Sequence, residues 1–384
     1  MLTVLRDLNG LFITNPVNIR YLTGFVGAAT EERESYLLIT SHKAYLFTNG
    51  LYLEQAKNLE LLNCYIVKLL KTKNPLEIVE ISRENPISKE LAELTKKLGI
   101  KKLGFESADL TVAECQKLKQ TLKGVALIPT KNRIEKLRMI KREDEVDNIR
   151  QAAKVTDACF DFILPRLTPG VEEGEIAWEI ETFLSRPGLD RVATAGHTVT
   201  MAFSPIVAFG KNTSQPHYLT RPGLKEDQGR ALRLNDVVLL DFGARVNGYC
   251  ADMTRAVFIG EPKQEWIRAY DTVMEAQKSA FEYLASCSRP GLGAQADRIA
   301  AYVLRKAGFT PYPHGLGHGI GLDVHENPRL NMKKNEQLLP GMVFSVEPGV
   351  YIPGNYGIRI EDLVLLKQSG IEILSKTTKK MIII

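Results

Sequence analysis

The sequence predicts an α/β protein, α+β in its second part, built as two domains. Three observations carry that prediction. Short apolar strands alternate with helical stretches through the first third of the chain. A heavily charged helical segment follows from about Asn132, and beyond it strand hairpins recur beside long helices. Alternation of this kind marks a sheet covered by helices.

Taken in order, Gly10 to Thr14, Tyr36 to Thr40 and Ala44 to Thr48 read as strands, and Lys101 to Gly104 as the approach to another. Leu51 to Asn58 and Lys89 to Leu98 read as helices. This α/β domain ends near Ile128-Pro129, and the boundary is placed at 130, giving domains 1–130 and 131–384. The charged run from Arg133 bridges them. A helical pattern then passes through Val146, Ile149, Ala152, Ala153 and Ala158, and Pro165 and Thr168-Pro169-Gly170 end it. Helices are expected at Glu175 to Leu184, Gln264 to Ala285 and Ala294 to Ala307. The apolar tail Met381 to Ile384 fits either a sheet edge or a partner contact.

With 384 residues, 44% hydrophobic and 25% charged, the chain has the balance of an ordinary globular protein and enough apolar material for a core in each domain. The net charge of +5 comes from 50 basic and 45 acidic residues with no long basic block, which argues against nucleic-acid or membrane-surface binding. Arg6 and Asp7 interrupt the opening apolar stretch, unlike a signal peptide, and no run approaches the roughly 18 apolar residues of a membrane span. Five widely spaced cysteines without a CxxC pair point to a reducing, cytoplasmic setting.

Chemistry concentrates in two hairpins. Val237-Val-Leu-Leu-Asp-Phe-Gly243 leads through Asn247-Gly248, a strong turn signal, to Ala251-Asp-Met-Thr-Arg255. Side-chain parity puts Asp241 and Asp252 opposite or diagonal on one face, whichever way the turn is centred. Aspartates are poor strand residues and repel across strands, so a pair there calls for a cation. In the second hairpin, Glu347 and Glu361 are equidistant from Gly354, and Arg359 lies two residues before Glu361 on the same face. Of the six histidines, three fall within His314 to His325, a glycine-rich stretch that includes His318; His217 follows Pro216 in a loop. There is no HExxH and no GxxxxGK[ST], which removes helical zinc peptidases and phosphate loops from consideration.

One imidazole and four carboxylates form too oxygen-rich a set for structural zinc. They suit two divalent ions such as Mn, Co or Zn, typically ~3.5–4 Å apart, holding a hydroxide and polarising a carbonyl. Each piece alone has a plainer reading. Asp241 and Asp252 would serve as edge-strand charges, Glu347 as a turn-flanking residue, and Cys250 as a small buried hydrophobe. His42 and His197 read as surface or core histidines. Jointly the pieces point to a hydrolytic centre.

The runs DFG…ADMTR, GLGHGIGLDVHENPR, SVEPG and RIED resemble the metal-binding signatures of the M24 peptidases: methionine aminopeptidase, Xaa-Pro aminopeptidase and prolidase. The resemblance covers about residues 130 to 375 and implies the pita-bread fold, two pseudo-symmetric αβ halves with the site between them. Residues before 130, with Asn18-Ile-Arg-Tyr-Leu-Thr-Gly-Phe25, resemble the creatinase-type N-terminal domain, which methionine aminopeptidases generally lack.

Carried over by position, the resemblance implies that Asp241 chelates one metal and that Asp252 and Glu361 bridge both. His318 and Glu347 complete the second, Glu347 also steering protons. It implies outer histidines at His217 and His325 acting on the substrate carbonyl, a pocket histidine at His314, and Arg359 bracing the metal carboxylates. Arg329, four residues after His325, would anchor the free carboxylate of a dipeptide, and Phe203 and Val324 would wall a proline ring. Ordinary core packing is the plainer reading of that last pair.

The sequence departs from such relatives at Leu219 to Arg233, longer and more charged, and at Thr48 to Tyr52. The expectation is an Xaa-Pro dipeptidase, cytoplasmic and homodimeric, acting on short proline-containing peptides with two divalent ions per chain. Its rivals are an Xaa-Pro aminopeptidase for longer peptides, a creatinase-like hydrolase, which would lack the metal carboxylates, and a metal-free binding protein on the same fold.

Overall fold

The computed structural model describes residues 3–27, 33–59, 64–186, 198–220, 230–286 and 291–384. His197, Cys287 and most of the charged stretch after Leu219 lie outside them. The chain divides into two compact units, Met1–Arg138 and Met139–Ile384.

The first unit is a six-stranded mixed sheet. Its order is Leu76–Ile81, Ala44–Asn49, Ser35–Ile39, Gly10–Ile13, Lys102–Glu106 and Ala126–Thr130. Two of these strands escape a reading by apolar pattern, because both are edges. Leu76–Ile81 carries exposed Glu77 and Glu80, and Ala126–Thr130 contains Pro129, which an edge position accommodates. The helix Pro16–Thr23 follows its local signals: Asn15 caps it by accepting from Asn18 N, Pro16 opens it, and Gly24 closes it at φ 76°.

Buried Asn18 ties this unit together. Its Nδ2 donates to Glu106 Oε1 at 2.6 Å and to Glu135 Oε1 at 2.8 Å, and its Oδ1 accepts from Arg138 Nη1 at 2.9 Å. Burial pushes Glu106 up to about 7, against the pull of the Asn15 and Thr14 amides that donate to it.

The second unit contains two αβ halves. In one, the helices Glu143–Ile163 and Glu173–Leu184 pack on a sheet ordered Ile382–Ile383, Met253–Phe258, Val237–Phe242 and Ile206–Phe209. In the other, Gln264–Ser286 and Gly293–Lys306 pack beside a sheet ordered Glu326–Leu330, Gly317–Gly319, Val343–Val346, Asp362–Lys367 and Gly370–Ile373. The apolar tail is a sheet edge: Ile382–Ile383 runs parallel to Met253–Phe258, pairing at Val257 and Phe258. Met253–Phe258 and Val237–Phe242 are buried on both faces, which is why they read as near-continuous apolar runs. Among the described residues, no helix is long and apolar enough to cross a membrane.

Candidate active site

Each half contributes one hairpin, and both hairpins change sheets where their carboxylates sit. In the first, Thr254 pairs with Asp241 and Met253 with Phe242 before the ladder breaks. Pairing resumes at Arg245 with Cys250 and Val246 with Tyr249, closed by Asn247 (φ 49°) and Gly248 (φ 89°). Positive φ at both turn residues is the geometry of a two-residue hairpin loop. The register is constant across the break, so Asp252 stands diagonal to Asp241 on the same face. Cys250 is buried and does not line the cavity described below.

In the second hairpin, Gly349 pairs with Arg359 and Val346 with Asp362. Glu347 and Glu361 fall between these two ladders, symmetric about Gly354. His318 comes from the short strand Gly317–Gly319, where a register shift separates His318 from Gly319. The flanking glycines are required by close approach. A Cβ at Gly317 would lie 1.9 Å from Ser345 O, and one at Gly319 would lie 2.2 Å from Asn327 O.

These strands bring their acids and imidazoles to one buried place. Ligand atoms of Asp241, Asp252 and Glu361 lie within 4.8 Å of one another, as do those of His318, Glu347 and Glu361, and those of Asp252, His318 and His325. His318 Nε2 is 3.4 Å from Glu347 Oε1 and 3.7 Å from Asp252 Oδ2. These approaches are not ion pairs. Burial first, then His325 beside it, lowers His318 to about 3, so its ring is neutral. With Nδ1 directed at Gly319 O (3.2 Å), Nε2 is left with its lone pair facing the acids.

The acids respond in the opposite sense. Burial, Glu361 and Asp241 push Asp252 well above the usual carboxylate range, and burial, Glu347 and Asp241 do the same to Glu361. Glu347 rises to about 7, with burial outweighing the pull of Arg359. Buried oxygens of Asp241 (Oδ1), Asp252 (Oδ1) and Glu361 (Oε1) have no hydrogen-bond partner among the described residues. Orphaned acceptors in a buried acidic cluster, with one neutral imidazole nitrogen, fit divalent cations and little else.

Arg359 braces this cluster. Its Nη2 donates to Asp241 Oδ2 at 2.5 Å, and its Nε donates at 2.9 Å to Thr254 Oγ1, which donates to Glu361 Oε2 at 2.8 Å. Arg359 therefore reaches Asp241 directly and Glu361 only through Thr254. Its Nη1 donates to Tyr351 OH at 2.8 Å, and that hydroxyl lies 3.1 Å from His314 Nε2.

A cavity of about 720 Å³ opens onto the cluster. Its lining includes the acids Asp241, Asp252, Glu347 and Glu361 and the histidines His217, His314, His318 and His325. It also includes Arg329 and Arg359, with Phe203 and Val324 as apolar wall. Phe203 and Val324 pack against the core as well, so both readings of that pair hold together. His42 is exposed, away from this lining.

Other functional neighbours were missed. Thr254, Ser345 and Tyr351 share strand parity with Asp252 and Glu347, the signal that could have found them. Ile206 pairs directly with Asp241, but that contact joins separate strands. Asn331 and Lys334 also line the cavity, from a polar turn that reads as solvated surface.

The sequence matches the family described as metallopeptidase family M24 over residues 147–368. The chain belongs to metallopeptidase family M24. Residues 5–140 match the Creatinase/Prolidase N-terminal domain. Similar solved structures include an Xaa-Pro dipeptidase from Bacillus anthracis, 33% identical, TM-score 0.84, covering 100% of this chain and 99% of that one. They also include an X-Pro aminopeptidase from Thermotoga maritima MSB8, 29% identical, TM-score 0.80, with 98% of each chain covered. An uncharacterized peptidase of Bacillus subtilis (strain 168), YqhT, is 33% identical over 379 residues, 98% of this chain and 96% of that protein. This M24 peptidase is thus a metal-dependent hydrolase with a creatinase-type N-terminal domain and a pita-bread catalytic domain.

Proposed function

We propose that this M24 peptidase is an Xaa-Pro dipeptidase, holding two divalent ions (Mn, Co or Zn) on Asp241, Asp252, His318, Glu347 and Glu361. The observation that supports the dipeptide reading is the charge layout of the cavity. Its buried lining is acidic, yet Arg329 and exposed Lys334 also line it, and neither side chain makes an ion pair among the described residues. A dipeptide is a small zwitterion, and unpaired cations in such a cleft offer its carboxylate a partner. The similarity to an Xaa-Pro dipeptidase at TM-score 0.84 supports the same reading.

When bound, the ions supply an acidified water and polarise the scissile carbonyl. The chain's own residues do the rest. Glu347, on the lining of the cavity beside His318, takes and returns a proton. His217 and His325, both exposed to the cavity, donate toward the carbonyl oxygen as charge develops on it. Phe203, Val324 and Ile206 give the proline ring an apolar wall, and His314 flanks the peptide. Arg359 keeps Asp241 in place through its direct bond.

The test is hydrolysis of Leu-Pro, Leu-Pro-Ala and Leu-Ala by protein loaded with Mn²⁺ or Co²⁺, beside a chelated control. Cleavage of Leu-Pro alone, lost on chelation and with KM raised about tenfold or more in Arg329→Ala, is the expected result. Preference for Leu-Pro-Ala would make the enzyme an Xaa-Pro aminopeptidase, the reading that the Thermotoga relative favours. Absence of metal-dependent cleavage of all three would reject both.

A further inference from the structure

One buried carboxylate outside the cavity is bonded to two of the cavity's walls. Asp297 lies on the helix Gly293–Lys306 and is 1% exposed. Its Oδ1 accepts from Tyr312 OH at 2.7 Å, and its Oδ2 accepts from the backbone N–H of Met332 at 2.8 Å. The Tyr312 ring stacks on His314, with centroids 4.9 Å apart and planes at 24°. Met332 belongs to the turn whose Asn331 and Lys334 line the cavity.

Glu336, just beyond that turn, accepts from Arg329 N and Gly293 N. Among the described residues, though, Asp297 is the one side chain from outside that bonds the backbone of 331–334 itself. The turn's internal bonds are Lys334 N to Asn331 O and Lys333 N to Asn331 Oδ1, both 2.9 Å, and Lys333 and Lys334 are exposed. Burying an acid is costly unless its oxygens are satisfied. Here both donors belong to segments that face the substrate.

We infer that Asp297 is a positioning residue for the substrate side of the cleft, one oxygen holding the 331–334 turn and the other the Tyr312–His314 wall. The inference rests on the peptidase reading above for what the cleft binds. The anchor itself does not depend on which peptide is preferred.

Asp297→Leu tests it, because a side chain of similar size without oxygens accepts from neither donor. In the Mn²⁺-loaded full chain, KM for Leu-Pro should rise about three- to tenfold while kcat stays within about twofold. Amide hydrogen exchange across 331–334 should quicken in the same variant. Tyr312→Phe removes one donor only, so it should raise KM and leave exchange at 331–334 as in the wild type. Unchanged exchange in Asp297→Leu, or a fall in kcat at constant KM, overturns the inference. If Asp297→Leu does not fold, an unchanged KM in Tyr312→Phe overturns it. Should the wild type cleave neither Leu-Pro nor Leu-Pro-Ala, the dipeptidase reading fails alone, and the exchange comparison still decides on the anchor.

Discussion

His314 directs Nδ1 at Gly315 O, 2.8 Å away, and Nε2 at the Tyr351 hydroxyl. Burial, and then the Arg359 charge, lowers it to about 4. An unfolded chain would protonate this ring near ~6.5, so between that pH and about 4 the unfolded state binds a proton that the native state refuses. Stability therefore falls as pH drops through this window. A His314→Gln variant should lose that part of the slope, and its Tm should fall less than the wild type's between pH 7 and 4.5. Parallel curves in a thermal-shift series would reject the assignment. Single residues were legible where their chemistry was out of place, as with aspartates in apolar strands. Thr254 and Tyr351 were not, because a threonine and a tyrosine are at home in a strand and only their bonds to Arg359 mark them.

At the scale of elements, the strand Glu326–Leu330 positions Arg329 and follows His325 directly. A buried ion pair ties it down: Lys141 Nζ lies 2.7 Å from Glu326 Oε1, with side chains 1% and 8% exposed. Lys141→Met removes this cation from a buried carboxylate and should cost about 1.5–3 kcal/mol, whereas adding Glu326→Gln should restore part of it. Denaturant titration of the single and double variants measures both, and equal losses in the two would show that the pair's charge is immaterial. The hairpins were legible because their turns fix a register by simple counting from Asn247-Gly248 and Gly354. The turn at 331–334 was not. Its importance comes from Asp297, more than thirty residues earlier, and no local pattern encodes a contact of that span.

The whole catalytic unit carries a repulsion at its centre. Asp241, Asp252, Glu347 and Glu361 face one another in a buried site, and only a proton or a cation relieves them. Metal binding should then stabilise the fold by linkage, about 2.7 kcal/mol at a hundredfold excess over Kd. For a unit of this size that corresponds to roughly 5–10 °C in Tm. Asp252→Asn should raise the Tm of chelated protein, since a repelling charge is gone, and abolish the shift on adding Mn²⁺. A chelated variant less stable than chelated wild type would contradict the argument.

The glycines beside His318 bear on how such a protein can change over generations. With backbone oxygens of Ser345 and Asn327 standing where a side chain would begin, neither neighbour of this histidine can be replaced without moving a strand. Mutational paths to new substrates are closed on that side. They remain open where side chains meet the cavity without holding the centre together, at Phe203, Ile206, Val324, Asn331 and Lys334. A library confined to those positions would sample peptide preference while leaving the chemistry inherited.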